Sequence, residues 1–264
     1  MKPWLYGRGF FLFPGRVTPK DRNVSNKSEQ KNWRNATKAV RGATMRSSFG
    51  ETSEALFLTS GYVYDTAEAA EARFKGEEEG YIYSRYANPT VAMFEQRMAL
   101  LEGAEAAVAT ASGMAAIFVA LASQVTGGDR VVASRALFGS SLYILEDMLP
   151  GYGVDVTIVD GTDLDQWREA LAPGAACVLM ETPANPTLEV IDIAAVSELA
   201  HKAGAKVIVD NAFATPVLQH PLELGADIVM YSATKHIDGH GRCMGGVVLG
   251  TEEFISEKVA PLMK

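Results

Sequence analysis

Cys177-Val-Leu-Met-Glu-Thr-Pro-Ala-Asn-Pro-Thr-Leu-Glu-Val-Ile-Asp-Ile-Ala-Ala-Val-Ser-Glu-Leu-Ala-His-Lys-Ala-Gly-Ala-Lys-Val-Ile-Val-Asp210 contains two apolar runs, Cys177–Glu181 and Lys206–Asp210, on either side of a helix-length segment, Ile193–Ala203. Neither run alternates apolar with polar residues, so each predicts a strand buried on both faces. A strand, a helical crossover and a second such strand form a βαβ unit, whose strands run parallel. The same alternation extends outward. Further strand runs fall at Ala106–Ala109, Arg130–Ser134, Val154–Asp160, Asp227–Tyr231 and Gly246–Leu249, with helices expected over Gly113–Gln124, Ser140–Leu149 and Leu164–Leu171. The expectation is an α/β fold with a mostly parallel sheet covered by helices.

At 264 residues, 48% of them hydrophobic, the chain has length for one large domain or one with a small appendage. A net charge of −8 argues against nucleic acid as a partner. No apolar run approaches the ~20 residues of a membrane span, so no membrane partner is expected. Two cysteines, Cys177 and Cys243, fit no disulfide framework, which favours a reducing cytoplasm. The N-terminus differs in composition. Trp4–Phe13 is apolar but broken by Gly7, Arg8 and Gly9, and up to Arg46 the acids are Asp21 and Glu29 alone. A disordered leader is expected, with ordered protein beginning between Asn32 and Gly50; a transit peptide is the alternative. The domain expectation is a leader and N-terminal arm over 1–49 and an α/β domain over 50–264.

In open α/β sheets, ligands sit at the carboxyl ends of the strands. Lys235 closes Asp227-Ile-Val-Met-Tyr-Ser-Ala-Thr-Lys235, where burial near a cofactor would make it nucleophilic. Ser232 and Thr234 precede it at alternate positions, so both hydroxyls are expected on one side. Asp210 ends its strand as a carboxylate that is costly unless paired. Ser112-Gly113-Met114 opens a helix whose free N–H groups suit phosphate. Tyr83-Ser84-Arg85 offers a phenol and a guanidinium. Asn185 lies on the loop of Thr182-Pro-Ala-Asn-Pro186. Each has a plainer reading: a surface lysine, a turn aspartate, an N-cap serine, a surface ion pair, turn chemistry.

Taken together, Tyr83-Ser-Arg85 with Asn88-Pro-Thr90, Ser112-Gly-Met114, Glu181-Thr-Pro-Ala-Asn-Pro186, Val209-Asp-Asn211 and Ser232-Ala-Thr-Lys235 with Gly239-His-Gly241 resemble the Cys/Met-metabolism family of pyridoxal phosphate (PLP) enzymes, the cystathionine γ-synthase-like group. The resemblance covers about residues 50 to 264. It implies the aspartate-aminotransferase-like, type I fold of PLP-dependent transferases, with an N-terminal arm. It implies PLP carried on Lys235, with Asp210 facing the ring nitrogen and Gly113, Met114, Ser232 and Thr234 around the phosphate. Tyr83 and Arg85 would reach the phosphate of a neighbouring subunit, implying a homo-oligomer, usually a dimer of dimers. Asn185 would donate to a ring oxygen. Many relatives place a tyrosine over the ring, whereas Leu137-Phe138-Gly139 offers Phe138, which stacks but provides no phenol. Leu-Phe-Gly, Phe49–Thr59 and His236-Ile-Asp-Gly-His-Gly-Arg242 look most like the O-succinylhomoserine sulfhydrylase branch, which joins an amino-acid substrate to sulfide. Members of the family continue into a smaller C-terminal domain that binds the substrate carboxylate, which is expected to be missing here.

Three rivals compete. His236, Asp238, His240 and Cys243 have ligand-like spacing, but Gly239 breaks a helical presentation. A dinucleotide-binding protein would need a glycine fingerprint in the first βα turn, which is lacking. A PLP domain without its partner domain could also persist as a non-catalytic binding protein.

Overall fold

The computed structural model describes residues 27–263. The expected leader therefore lies largely outside the described residues, while short helices at Lys27–Lys31 and Asn35–Arg41 stand within the segment expected as leader and arm.

Seven strands form one sheet: β1 Ala106–Thr110, β2 Arg130–Ser134, β3 Asp155–Val159, β4 Cys177–Glu181, β5 Lys206–Asp210, β6 Ile228–Ser232 and β7 Gly246–Gly250, in the order β1-β7-β6-β5-β4-β2-β3. β3, β2, β4, β5 and β6 pair in parallel, whereas β7 runs antiparallel between β6 and β1. The sheet is thus mixed but mostly parallel and covered by helices, as expected. The helix expected over Ser140–Leu149 is a composite: a regular turn at Gly139–Tyr143, a wider turn at Ile144–Met148 and a last turn at Leu149–Gly151. Pro150, in that last turn, has no N–H to donate to the preceding turn.

The pleat sorts each strand between two cores. Val178, Met180, Val207, Val209, Val229 and Tyr231 face one side, under the helices Leu164–Leu171 and Ile193–Lys202. Cys177, Leu179, Ile208, Ile228 and Met230 face the other, with Ile117 and Leu121 of the helix Gly113–Ala122. Glu181, Asp210 and Ser232 continue the rows of Leu179, Ile208 and Met230. The pleat therefore assigns all three to the face that carries the Gly113 helix.

The chain divides into two compact units, whose described parts are residues 45–92 and, in the second, 27–44 with 93–263. In the first unit, Thr66 caps the helix Ala67–Lys75, and Gly76 ends it in a left-handed conformation. Asn88 ties this unit together. Its Nδ2 donates to the Phe57 carbonyl at 2.9 Å and to Ser84 Oγ at 3.0 Å, and its Oδ1 accepts from Thr90 N at 2.9 Å. Among the described residues, no helix is long and apolar enough to cross a membrane.

Candidate active site

The site is built at the carboxyl ends of β4, β5 and β6. Gly113 opens its helix directly against β6: a Cβ at Gly113 would lie 2.6 Å from Ser232 Cβ, so only glycine permits the approach. The Ser112 hydroxyl is spent on capping, accepting from Ala115 N at 3.1 Å. Its contribution is to hold the helix start whose first N–H groups, those of Gly113 and Met114, have no intrahelical acceptor. Ser232 Oγ, beside them, makes no hydrogen bond among the described residues, so an oxyanion here would meet free donors from two elements.

Beyond Ser232 the structure departs from the expected alternation. β6 ends at Ser232, and Ala233–Ile237 turns as a wide helical turn closed by Asp238 N donating to the Ala233 carbonyl at 2.9 Å. Thr234 is therefore not on the strand. Its hydroxyl accepts from Gly245 N at 3.0 Å and donates to the Gly245 carbonyl at 3.3 Å. Lys235 interrupts this turn with φ −88° and ψ −117°, far from helical values. Such irregular turns concentrate at functional sites. The Lys235 side chain is exposed and makes no hydrogen bond or ion pair among the described residues, so its amine is accessible.

Asp210 is 7% exposed and accepts one hydrogen bond, from Ala212 N at 3.0 Å. Burial, and then the charge of Glu181, push its carboxyl up to about 7. Glu181 is its register partner on β4. Glu181 is buried too, and each of its oxygens serves a different loop: Oε2 accepts from Phe138 N at 2.7 Å and Oε1 from Asn185 N at 2.9 Å. Burial raises its carboxyl, against the lowering effect of those two N–H groups. Phe138 and Asn185, both exposed, thus stand on loops held by one carboxylate. The peptides Thr182–Pro183 and Asn185–Pro186 are cis.

Tyr83 and Arg85 belong to the other unit. Tyr83 pairs across from Gly61 in an isolated bridge. The Arg85 guanidinium lies 4.8 Å from the centre of the Tyr86 ring and 5.7 Å from that of Tyr83. Of the proposed metal ligands, Asp238 is consumed locally, accepting from His240 N at 3.1 Å and Arg242 N at 2.8 Å.

Among the described residues, a buried aspartate with no cation beside it, a glycine-gated helix start facing a free hydroxyl and an accessible lysine in the turn after β6 fit a phosphorylated cofactor with a protonated ring nitrogen. Matching to known families gives the same answer: residues 36–263 match the family described as Cys/Met metabolism PLP-dependent enzyme. The chain belongs to this family. Its cofactor is pyridoxal phosphate. The O-succinylhomoserine sulfhydrylase of Mycobacterium tuberculosis (strain H37Rv) is 56% identical over 229 residues, 87% of this chain and 56% of the relative. The L-methionine gamma-lyase of Porphyromonas gingivalis is 44% identical, covering 84% of this chain and 56% of the relative. A Campylobacter jejuni protein described as an O-acetylhomoserine (thiol)-lyase, solved with a pyridoxyl-lysine-5′-monophosphate, superposes with a TM-score of 0.80 at 30% identity, covering 84% of this chain and 55% of that one. The chain spans just over half the length of these family members.

Glu181 is a residue whose role sequence reading missed. The signal was present: like Asp210, it is an acid ending an apolar strand.

Proposed function

We propose that this chain is the cofactor-binding part of an O-succinylhomoserine sulfhydrylase, which replaces succinate with sulfide at the γ-carbon to give homocysteine for methionine biosynthesis. The reading rests on the free donors and unpaired carboxylate at the ends of β4–β6, together with the higher identity to a sulfhydrylase than to a γ-lyase. PLP, when bound, supplies an electron sink for the carbanion formed at the substrate α-carbon.

The chain's own residues prepare that chemistry. Lys235 would hold the cofactor through its amine and would take the proton from the α-carbon of a bound substrate. Asp210, charged when a ring N–H faces it, keeps the proton on the ring nitrogen. The Gly113 and Met114 amides and the Ser232 hydroxyl bind the phosphate, joined by Thr234 when its hydroxyl turns from the Gly245 carbonyl. Phe138 covers the ring without offering a phenol as acid or base, and Asn185 donates to a ring oxygen. Tyr83 and Arg85 act on the phosphate of a second copy. Support for this comes from the apolar exposure of their unit, where Phe49, Leu58 and Val63 are 94%, 92% and 94% exposed. A dimer of dimers follows the same reading, as does a cytoplasmic location, supported by two free cysteines.

The test is to load the chain with PLP and supply O-succinylhomoserine or O-acetylhomoserine, each with sulfide or cysteine, and methionine alone. The highest kcat/KM is expected for O-succinylhomoserine with sulfide. Preference for cysteine would make it a cystathionine γ-synthase, turnover of methionine alone a γ-lyase. PLP binding without turnover would leave it a binding protein. Mixing inactive Lys235→Ala and Arg85→Ala chains should restore activity, since one site of the mixed dimer then carries neither defect. A mixture as inactive as its parents despite subunit exchange would place Arg85 in cis.

A further inference from the structure

Beneath the candidate site, on the opposite face of the sheet, lies a buried polar network that the proposed chemistry does not use. Glu102, the last residue of the helix Pro89–Glu102, is 1% exposed. The Tyr231 hydroxyl, from β6, donates to Glu102 Oε2. Asn211 Nδ2 donates to the Tyr231 hydroxyl at 2.8 Å and to the Gln219 carbonyl at 3.0 Å. Gln219 Nε2 in turn donates to Asn211 Oδ1 at 2.8 Å and to the Thr182 carbonyl at 2.7 Å.

A buried glutamate at the end of a helix is an expensive way to fill a core, because an apolar pair of similar shape would avoid its desolvation. The network also passes two particular places. Asn211, in its middle, is the covalent neighbour of Asp210, and Thr182, at one end, that of Glu181, so it adjoins both buried carboxyls of the site. Asn211 is fixed at its backbone as well, its N–H donating to the Met230 carbonyl at 3.0 Å. With both its side chain and its backbone held, the tight turn in which Asp210 accepts from Ala212 N has no freedom to swing.

We propose that Glu102 and Tyr231 are positioning residues for the cofactor: through Asn211 they fix Asp210 against the ring, and through Gln219 they tie that strand end to the loop after β4. The proposal rests on the PLP reading above. The proton order agrees with it. Burial pushes the Glu102 carboxyl up to about 7 and drives the Tyr231 phenol well above its ordinary value, so the phenol stays protonated and remains the donor.

The test compares wild type with Tyr231→Phe, Glu102→Gln, Glu102→Leu and Gln219→Ala by PLP titration and by amide exchange of the cofactor-free chain. Glu102→Leu removes one hydrogen bond of the network and Tyr231→Phe two, those with Glu102 and Asn211; at about 1 kcal/mol for each bond, the PLP Kd should rise about fivefold in Glu102→Leu and at least as much in Tyr231→Phe. Glu102→Gln keeps a side-chain oxygen that accepts from Tyr231 and should stay within about twofold of wild type. In cofactor-free Tyr231→Phe and Gln219→Ala, exchange should quicken about fivefold over residues 211–219 and stay unchanged in β2 and β3. If Glu102→Leu does not fold, Tyr231→Phe and Gln219→Ala carry the test. A lowered melting temperature with wild-type PLP affinity and wild-type exchange over 211–219 would reduce the network to core filling and overturn the proposal. Wild-type chain that binds no PLP would instead sink the functional reading, and the exchange data would still decide whether the network holds this segment.

Discussion

β5 and β6 carry a buried or half-buried aspartate at each end, and the two are treated oppositely. At the amino end, Asp227 accepts from Lys206 Nζ at 2.7 Å, from Val207 N at 2.9 Å and lies 2.8 Å from His201 Nε2. Burial alone would raise its carboxyl, but these partners hold it below the ordinary carboxylate range. At the carboxyl end, Asp210 has one N–H partner and sits at about 7. The first aspartate is satisfied by the fold; the second is left with a deficit that a cation would fill. A buried carboxylate left short of partners marks a candidate site for a bound group.

The comparison is sharpest at the lysine. Lys235→Ala should lose all turnover and the visible absorbance of lysine-bound PLP, whereas Lys206→Ala should alter neither. A borohydride-reducible adduct persisting in the first variant would displace Lys235 from its role. Next comes Asp210. Asp210→Asn should slow α-proton exchange by orders of magnitude, yet stabilise the cofactor-free protein at pH 8. Its folded carboxyl titrates near 7 and its unfolded one near ~4, so the stability tied to its neutral form is complete below ~4 and lost as pH rises to about 7. Removing the charge should recover ~2–4 kcal/mol at pH 8 and nothing at pH 4, measured by urea unfolding across pH. Equal effects at both pH values would mean that Asp210 is not electrostatically strained.

Smaller effects follow at Glu181 and Asp227. Glu181→Gln offers one acceptor to two N–H groups and should cost ~1–2 kcal/mol while weakening PLP about tenfold, read by thermal unfolding and cofactor titration. Asp227→Asn should cost ~1 kcal/mol at neutral pH with no change in PLP affinity. Here the sign reverses: a depressed carboxyl stabilises above its unfolded value near ~4, and that stability is lost as pH falls through the folded value. A cofactor defect in Asp227→Asn would erase the distinction between the two ends.

Much of this was legible in the chain. β2, β4, β5 and the helix Leu164–Leu171 fall on their expected residues, because continuous apolar runs and the segments between them are local signals. The chemistry at Asp210 and Lys235 was legible as residue type at a strand end. The antiparallel course of β7 was not, since an apolar run carries no direction. Nor was the position of Thr234, which depends on where β6 stops and on a partner eleven residues away, Gly245. The Glu181 clamp and the Glu102–Tyr231 pair lay hidden because each joins elements far apart in the chain. The Tyr231–Glu102 contact spans 129 residues, a distance over which no periodicity carries information.

The reversed strand has a consequence for how the molecule is made. Among the described residues, β1 pairs with β7 and with no other strand. Of these strands β1 leaves the ribosome first and β7 last, so the β1 backbone stays open until β7 emerges, and the facing edge of β6 stays open only from its own emergence to that of β7. A nascent chain halted before Gly246 should therefore be captured by holdase chaperones, and one released just past Gly250 should not.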